Sequence, residues 1–341
     1  MARPDPSDWH ALVNEVPIGP GCEILDPHHH LWPPDGALAY GVDELVADTT
    51  SVPAVVATMF MECRAAHRSD GPEHLRPVGE TEFVAAAADD LATRYPHAAP
   101  IVGIIGTADL ADERLDEVLD AHVAAAGGRF RGIRDALARS LDPDAHMIPA
   151  FAPEGKSQDP AFRRGVTRLG ECDLTYDSWL FHHQIRDFAE LAQATPGTTM
   201  VLDHFGTPLG IGRFAGRLDE IFEVWRDDIA QVAACPNAVV KIGGLAMPDN
   251  GFGFHEADAP PTSAALLSVQ RRWYEHAIDC FGPERCMFES NFPVDRFSLG
   301  YVTYWNAMCQ LAEQYTADER AAMFAGTARR VYGLDARVTT T

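Results

Sequence analysis

Short apolar runs rich in β-branched residues alternate with amphipathic stretches along almost the whole chain. The runs are Glu23–Asp26, Ala54–Met61, Ile101–Thr107, Phe130–Arg134, Leu174–Trp179, Thr199–His204, Ala238–Gly243 and Arg285–Glu289. Helical periodicity falls between them, over 81–94, 112–126, 159–170, 184–194, 217–234 and 264–280. Strand–helix alternation predicts a parallel sheet. Eight repeats predict its closure into a (β/α)8 barrel, an α/β fold of the TIM type. Residues 298–332 read as two further helices, the last opened by a capping box at Thr316-Ala-Asp-Glu319. No internal repeat or linker divides the chain. The expected organisation is an arm at 1–21, one barrel domain at 22–334 and a tail at 335–341.

The punctuation is one-sided. Long Pro/Gly-rich segments follow strands, at 32–52, 63–80, 141–160 and 244–263, whereas Ala194–Gly197 and Cys235–Asn237, which precede strands, are short. Loops after strands lie on the C-terminal face of a barrel, where active sites are built. A barrel of ~250 residues leaves the rest of the 341 for that face and the termini.

Composition narrows the classes. A net charge of −23 offers no basic footprint for nucleic acid. A hydrophobic content of 46% excludes an acidic disordered chain. No apolar run approaches the ~18 residues of a membrane span. The N-terminus lacks a secretory apolar core, and the 7 cysteines include no CxxC pair. A cytoplasmic protein with reduced thiols is expected.

The side chains able to do chemistry gather at strand ends. The first strand ends in Asp26-Pro-His28-His29-His30. Alternation places Asp26, His28 and His30 on one face and His29 on the other, so two imidazoles can chelate one cation. His204 ends the sixth strand before a Gly/Pro loop. Glu289 and Asn291 share a face after the eighth, with Asp295 beyond. Glu62 closes the second strand, where an acid is costly unless paired or metal-bound. Glu80 reads best as a carboxylate at a helix start. Arg131 and Arg134 on the fourth strand suit a substrate carboxylate or phosphate, or structural ion pairs. His182 follows the fifth strand with His183, and Lys241 ends the seventh. No dinucleotide fingerprint, P-loop or GxSxG elbow is present.

Asp26-x-His28-x-His30, Asp203-His204 and Glu289-Ser-Asn-Phe-Pro293, in that order, resemble the amidohydrolase superfamily, and within it the amidohydrolase-related branch of lactonases, decarboxylases and hydratases. The resemblance spans about residues 22–334 and implies a divalent-metal site at the barrel mouth. His28 and His30 would be ligands, and His204 a ligand or neighbour. Hydrolases of the branch carry Asp at the position of Asn291, where it binds metal and takes the proton of water. Asn has no usable pKa near 7. With Glu62 and Glu289 as additional carboxylates, the motifs also resemble a subgroup of non-haem di-iron monooxygenases that act on diterpenoid antibiotics and α-aminoisobutyrate.

That subgroup implies two non-haem irons, or an Fe/Mn pair, held by His28, His30, Glu62, His182, His204 and Glu289. Asn291, Glu289 and His204 would act in catalysis, with Arg131, Arg134 and Lys241 binding substrate. O2 and an organic-acid or terpenoid substrate would be the partners, in a homodimer. The alternative is a hydrolase, most simply a lactonase, with one zinc or manganese and Glu289 or Asp295 as base.

Overall fold

The computed structural model describes residues 6–334. Eight strands form one sheet in sequence order, with every neighbouring pair parallel. They are β1 (Ile24–His29), β2 (Val55–Met61), β3 (Ile101–Gly106), β4 (Phe130–Arg134), β5 (Thr175–Ser178), β6 (Met200–Leu202), β7 (Ala238–Lys241) and β8 (Cys286–Met287). Seven lie within the apolar runs, and β1 starts in the first run but continues past Asp26 to His29. The sheet closes through a parallel bridge between His29 and Phe292. His30 N–H donates to Phe292 O at 2.8 Å and Asn291 N–H to His28 O at 3.0 Å. The (β/α)8 barrel is therefore present, and its seam joins the first strand to the last.

Two layers of packing follow from the alternation of inward and outward residues. Ile24, Phe60, Ile104 and Ile133 face the helices, where Trp225, Trp273 and Trp305 are fully buried. Leu25, Met59, Met61, Ile105, Val201 and Met287 face inward and meet Ala325, Ala328 and Tyr332. The last helical segment therefore plugs the barrel interior.

The helices at 78–94, 115–125, 160–171, 185–194, 218–233 and 263–281 coincide with the periodic stretches. One was missed. The expected loop at 32–52 contains the helix Val42–Ser51, in which Leu45 and Thr49 are the buried residues. Its remaining positions are mostly polar, so the sequence shows little apolar stripe. The C-terminal part forms Tyr301–Ala312 and then Ala317–Val331, the latter interrupted by a π-turn at Ala322–Gly326. Thr316 and Glu319 make the expected capping box. All seven cysteines are free. Among the described residues no helix is long and apolar enough to cross a membrane. The 335–341 tail and the first residues of the arm lie outside the described residues.

Candidate metal centre at the barrel mouth

His28 and His30 sit inside the mouth. Their rings meet edge to face with centroids 4.9 Å apart. Asp26 does not join them. A register irregularity between Asp26 and His29 breaks the alternation. Asp26 instead accepts from Ser290 N–H at 3.0 Å and from the Tyr301 hydroxyl at 2.9 Å, on the helix side of the seam. Burial pushes its carboxyl up to about 6. The expected shared face of Asp26, His28 and His30 is thus corrected. Asp26 ties β1 to the segment after β8, while the two imidazoles project inward.

Glu289 lies between two of the histidines. Its Oε1 accepts from His204 Nδ1 at 2.7 Å, and its Oε2 stands 2.7 Å from His28 Nδ1. His28 and His204 ring centroids are 4.4 Å apart. His28, His204 and Glu289 each offer one ligand atom within 4.8 Å of the others.

The protons do not add up without a cation. His30 Nδ1 faces Met61 O at 2.8 Å, so it carries the ring proton and Nε2 carries a lone pair. That lone pair looks at His28 Nε2 from 3.3 Å. His28 is held neutral, its pKa pushed well down by burial and then by His204 and Lys241. It has one proton to place. On Nε2, the proton satisfies His30 and leaves the Nδ1 lone pair against a Glu289 oxygen. On Nδ1, it leaves two Nε2 lone pairs facing each other. Consistent with the conflict, His28 Nδ1 and Glu289 Oε2 are buried without a hydrogen bond despite their 2.7 Å approach. One electron-rich pair remains in either neutral tautomer, and an added proton or a bound metal cation removes the conflict. The imidazole–carboxylate donor set suits zinc, manganese or iron.

His204 is aimed by a strained turn. His204, Phe205 and Thr207 have φ of 53°, 57° and 37°, with Gly206 at 68°. Left-handed conformations cost roughly 1–2 kcal/mol for each non-glycine residue. Here the turn directs the His204 ring at Glu289 while Phe205 packs outward and its carbonyl accepts from Trp225 Nε1 at 2.7 Å. Two glycines make room. A Cβ on Gly243 would lie 2.5 Å from Glu289 Cγ, and one on Gly244, at φ +70°, 2.3 Å from His204 Nδ1.

A line of buried ion pairs runs beside the histidines. Tyr332 donates to Asp177 at 2.6 Å. Lys241 Nζ lies 3.0 Å from Asp177 and 3.1 Å from Asp203. Arg134 reaches Asp203 at 3.4 Å and Glu62 at 2.8 Å, and also bonds the Glu62 carbonyl. Burial outweighs the pull of Lys241 on Asp177, whose pKa is raised. Burial also opposes ionisation of Asp203, but Lys241 and Arg134 prevail and lower it. Four carboxyl groups (Asp177, Asp203, Glu62 and Glu289) thus share two cationic side chains. A divalent cation balances that set in formal charge.

This arrangement revises several expectations. Lys241 is wholly buried between two carboxylates, so it is a core ion pair and not a substrate contact. Arg131 lies at the start of β4, away from the mouth, and donates to Gly128 O and Phe130 O. Arg134 does reach the mouth, joined to Glu62. Glu62 and His182 are not in the three-residue group. His182 Nδ1 accepts Leu209 N–H at 3.2 Å, which leaves its proton on Nε2 and makes that atom a donor, not a ligand. Asn291, at φ 55°, turns its amide to donate to Asp295 at 2.9 Å. Glu80 lies in the first turn of the helix at 78–94, as expected, but its carboxylate accepts from Cys63 N–H and Ala65 N–H in the loop after β2. Asp177 and Tyr301 were missed as parts of the framework, and Asp203, expected to point toward a helix or pair locally, instead meets Lys241 and Arg134. Their partners lie on distant strands and helices, and local pattern carries no sign of them.

The sequence profile described as amidohydrolase matches residues 25–334. The chain belongs to the amidohydrolase family. This amidohydrolase is 31% identical over 323 residues to y4mH, an uncharacterized protein of Sinorhizobium fredii, covering 91% of this chain and 98% of that one. It is 28% identical over 320 residues to an L-fucono-1,5-lactonase of Burkholderia multivorans, covering 92% and 97%. Among solved structures, a Burkholderia multivorans amidohydrolase with bound zinc matches with a TM-score of 0.69 and 25% identity, over 92% of this chain and 99% of that one. The family relationship supports a metal-binding mouth, and the donor atoms of His28, His204 and Glu289 lie close enough together to fit one ion.

Proposed function

We propose that this amidohydrolase is a single-metal hydrolase whose substrate is a lactone. The observation that carries the reading is the cluster of His28, His204 and Glu289, with His30 beside it, which lacks one positive charge in either tautomer. The similarity to an L-fucono-1,5-lactonase supports the substrate class, and the zinc in a structural neighbour supports the metal. The bound cation would polarise the ester carbonyl and make water acidic enough to attack at neutral pH.

The chain's own groups supply the rest. Glu289 orients His204 and approaches His28, fixing the rings as a carboxylate behind imidazoles does in metal sites. Asp295 takes the place of the missing strand-eight aspartate as proton acceptor. Burial pushes its carboxyl up to about 7, so it can gain or release a proton near neutrality. Asn291 Nδ2 and Ala246 N–H each donate to one of its oxygens and hold it in place.

The di-iron oxygenase expectation is set aside in favour of its alternative. Among the described residues, one group of three metal-capable side chains gathers. Glu62 and His182, which were to extend it, are engaged by Arg134 and by Leu209 N–H. The test is metal analysis with two assays. One metal per chain and acid release from aldono-1,5-lactones are expected. Two irons with substrate-dependent oxygen uptake would return the reading to oxygen chemistry.

A further inference from the structure

The proposed centre is almost wholly covered. His28 and Glu289 are 0% exposed, His204 2% and His30 4%. Little of them is open to solvent, so a substrate depends on the rim for its way in.

One piece of the rim differs from the rest in how it is held. After β4, residues 138–152 form a hairpin through an Arg139–Phe151 bridge and the bonds Ser140 N–H to Ala150 O and Ala152 N–H to Ala138 O. Its base is pinned at the end of β5, where Leu137 and Ala138 N–H both donate to Trp179 O. Its tip bonds to the loop after β6 through Arg213 and to the loop after β7 through Asp249, so it bridges the rim. Beneath the tip, those two loops form a rigid frame. Gly210 and Gly251 touch so closely that a Cβ on Gly251 would lie 2.4 Å from Gly210 O. Asn250 Nδ2 donates to Pro208 O at 2.7 Å.

Polar contacts dominate the seating of the tip. Asp249, 3% exposed, receives three donors from it: His146 Nδ1 at 3.2 Å, Met147 N–H at 3.0 Å and Ile148 N–H at 3.4 Å. Asp142 accepts Arg213 N–H at 3.2 Å. One ring contact adds to these, His146 stacked on Phe181 with centroids 4.9 Å apart. Met147 and Phe151 face solvent, 47% and 76% exposed. Ala138 and Ala150 in the arms of the hairpin pack with Phe181 and Leu209, but the tip has few buried apolar contacts, and such a segment opens at less cost than the barrel beneath it.

We propose that the 138–152 hairpin is the gate of the active site and that Asp249 is its latch. One buried carboxylate gathers three donors from the moving piece, so release of a single residue removes three of the bonds that seat the tip. Asp249 acts through the hairpin and positions it. It is not assigned a part in the chemistry. Lid opening of this kind commonly limits turnover in enzymes whose sites close over substrate.

Two measurements on the full chain test the latch. The first is hydrogen exchange by mass spectrometry, comparing the unchanged protein with Asp249→Asn and Asp249→Ala. Exchange in peptides covering 138–152 should rise by about tenfold or more, the factor for losing ~1.4 kcal/mol of hydrogen bonding. Peptides from β1 to β8 should be unchanged. Equal acceleration in the strands would make Asp249 a general brace and overturn the proposal. The second measurement rests on the metal reading: the zinc-loaded protein is mixed with dipicolinate. Removal should level off as chelator rises, because opening becomes limiting, and should be faster in both variants. A rate linear in chelator and equal in all three proteins would also overturn the gate. Failure to take up zinc at all would sink the metal reading instead, while hydrogen exchange still decides the latch.

Discussion

Glu289 Oε2 stands 2.7 Å from His28 Nδ1, and neither atom makes a hydrogen bond. The contact is opposed whenever His28 carries its proton on Nε2. Replacing Glu289 by Gln should therefore act in opposite directions on the two forms of the protein. An amide N–H can serve the His28 lone pair that the carboxylate opposes. The metal-free Glu289→Gln protein should melt at or above the unchanged metal-free protein, by up to ~1 kcal/mol. Zinc affinity should fall about 10–100-fold. Calorimetry with and without metal checks the first, and competition with a chromophoric chelator the second.

His30 gives a cleaner loss. Its Nδ1 proton is fixed by Met61 O, which aims Nε2 at the site. His30→Ala should abolish the rise in melting temperature that zinc gives the unchanged protein. That rise corresponds to ~4 kcal/mol at a thousandfold excess over Kd. A retained zinc shift in His30→Ala would remove His30 from the ligand set.

Asp295 should set the acidic limb of the pH profile. Its carboxyl is raised from 3.8 to about 7 by burial. As a base it works only when ionised, so lactone hydrolysis should fall below about pH 7. Asp295→Asn should lower kcat ~10²–10⁴-fold and remove that limb, with metal retained. Stability runs the other way. Between 3.8 and about 7 the folded chain keeps a proton that the unfolded chain has lost. Stability from this group is therefore greatest at low pH and declines as pH rises through that window. Urea titrations at several pH values should show the decline flattened in Asp295→Asn.

Gly244→Ala tests the close approach to His204. The added carbon would sit 2.3 Å from Nδ1 on a backbone at φ +70°. We expect ~1–3 kcal/mol of destabilisation from the strained backbone. Zinc binding should also weaken, because the ring must move off Glu289. An alanine variant with unaltered zinc affinity would show that the ring has room to shift without loss.

Tyr301→Phe removes one donor to a buried carboxylate at the barrel seam. The cost should be ~1–3 kcal/mol, read from the shift of the urea midpoint. Because Ser290 N–H still holds Asp26, zinc affinity should change far less than stability.

Period and spacing carried the architecture. Apolar runs such as Ala54–Met61 and Ala238–Gly243 are continuous because both faces of a barrel strand are buried, which marks them clearly. The motif around His28 and His30, His204 and Glu289 was legible for a related reason: polar side chains at the ends of buried strands are costly unless they pair or bind a ligand. What the sequence could not show was direction. Alternation placed Asp26 beside His28, and one register irregularity turned it to the other face. Arg131 and Arg134 looked equivalent, yet three residues along a strand separate the floor from the mouth. Lys241 read as a possible substrate contact because its partners, Asp177 and Asp203, stand on other strands. Asn291 was expected to face a ligand, and its left-handed backbone turned the amide to Asp295.

The seam has a bearing on how the protein is made. His28 and His30 belong to the first strand and Glu289 follows the last, so the ligands come together only at closure, across almost the whole barrel sequence. Tyr332, which completes the line of ion pairs, is farther along still. On the ribosome, the early histidines emerge long before the carboxylate that orients them. Loading with metal thus belongs to the end of synthesis. Contacts of such long sequence separation form late and slowly. A nascent chain can assemble its early strand–helix units one by one, but it has no centre to fill until the eighth strand meets the first.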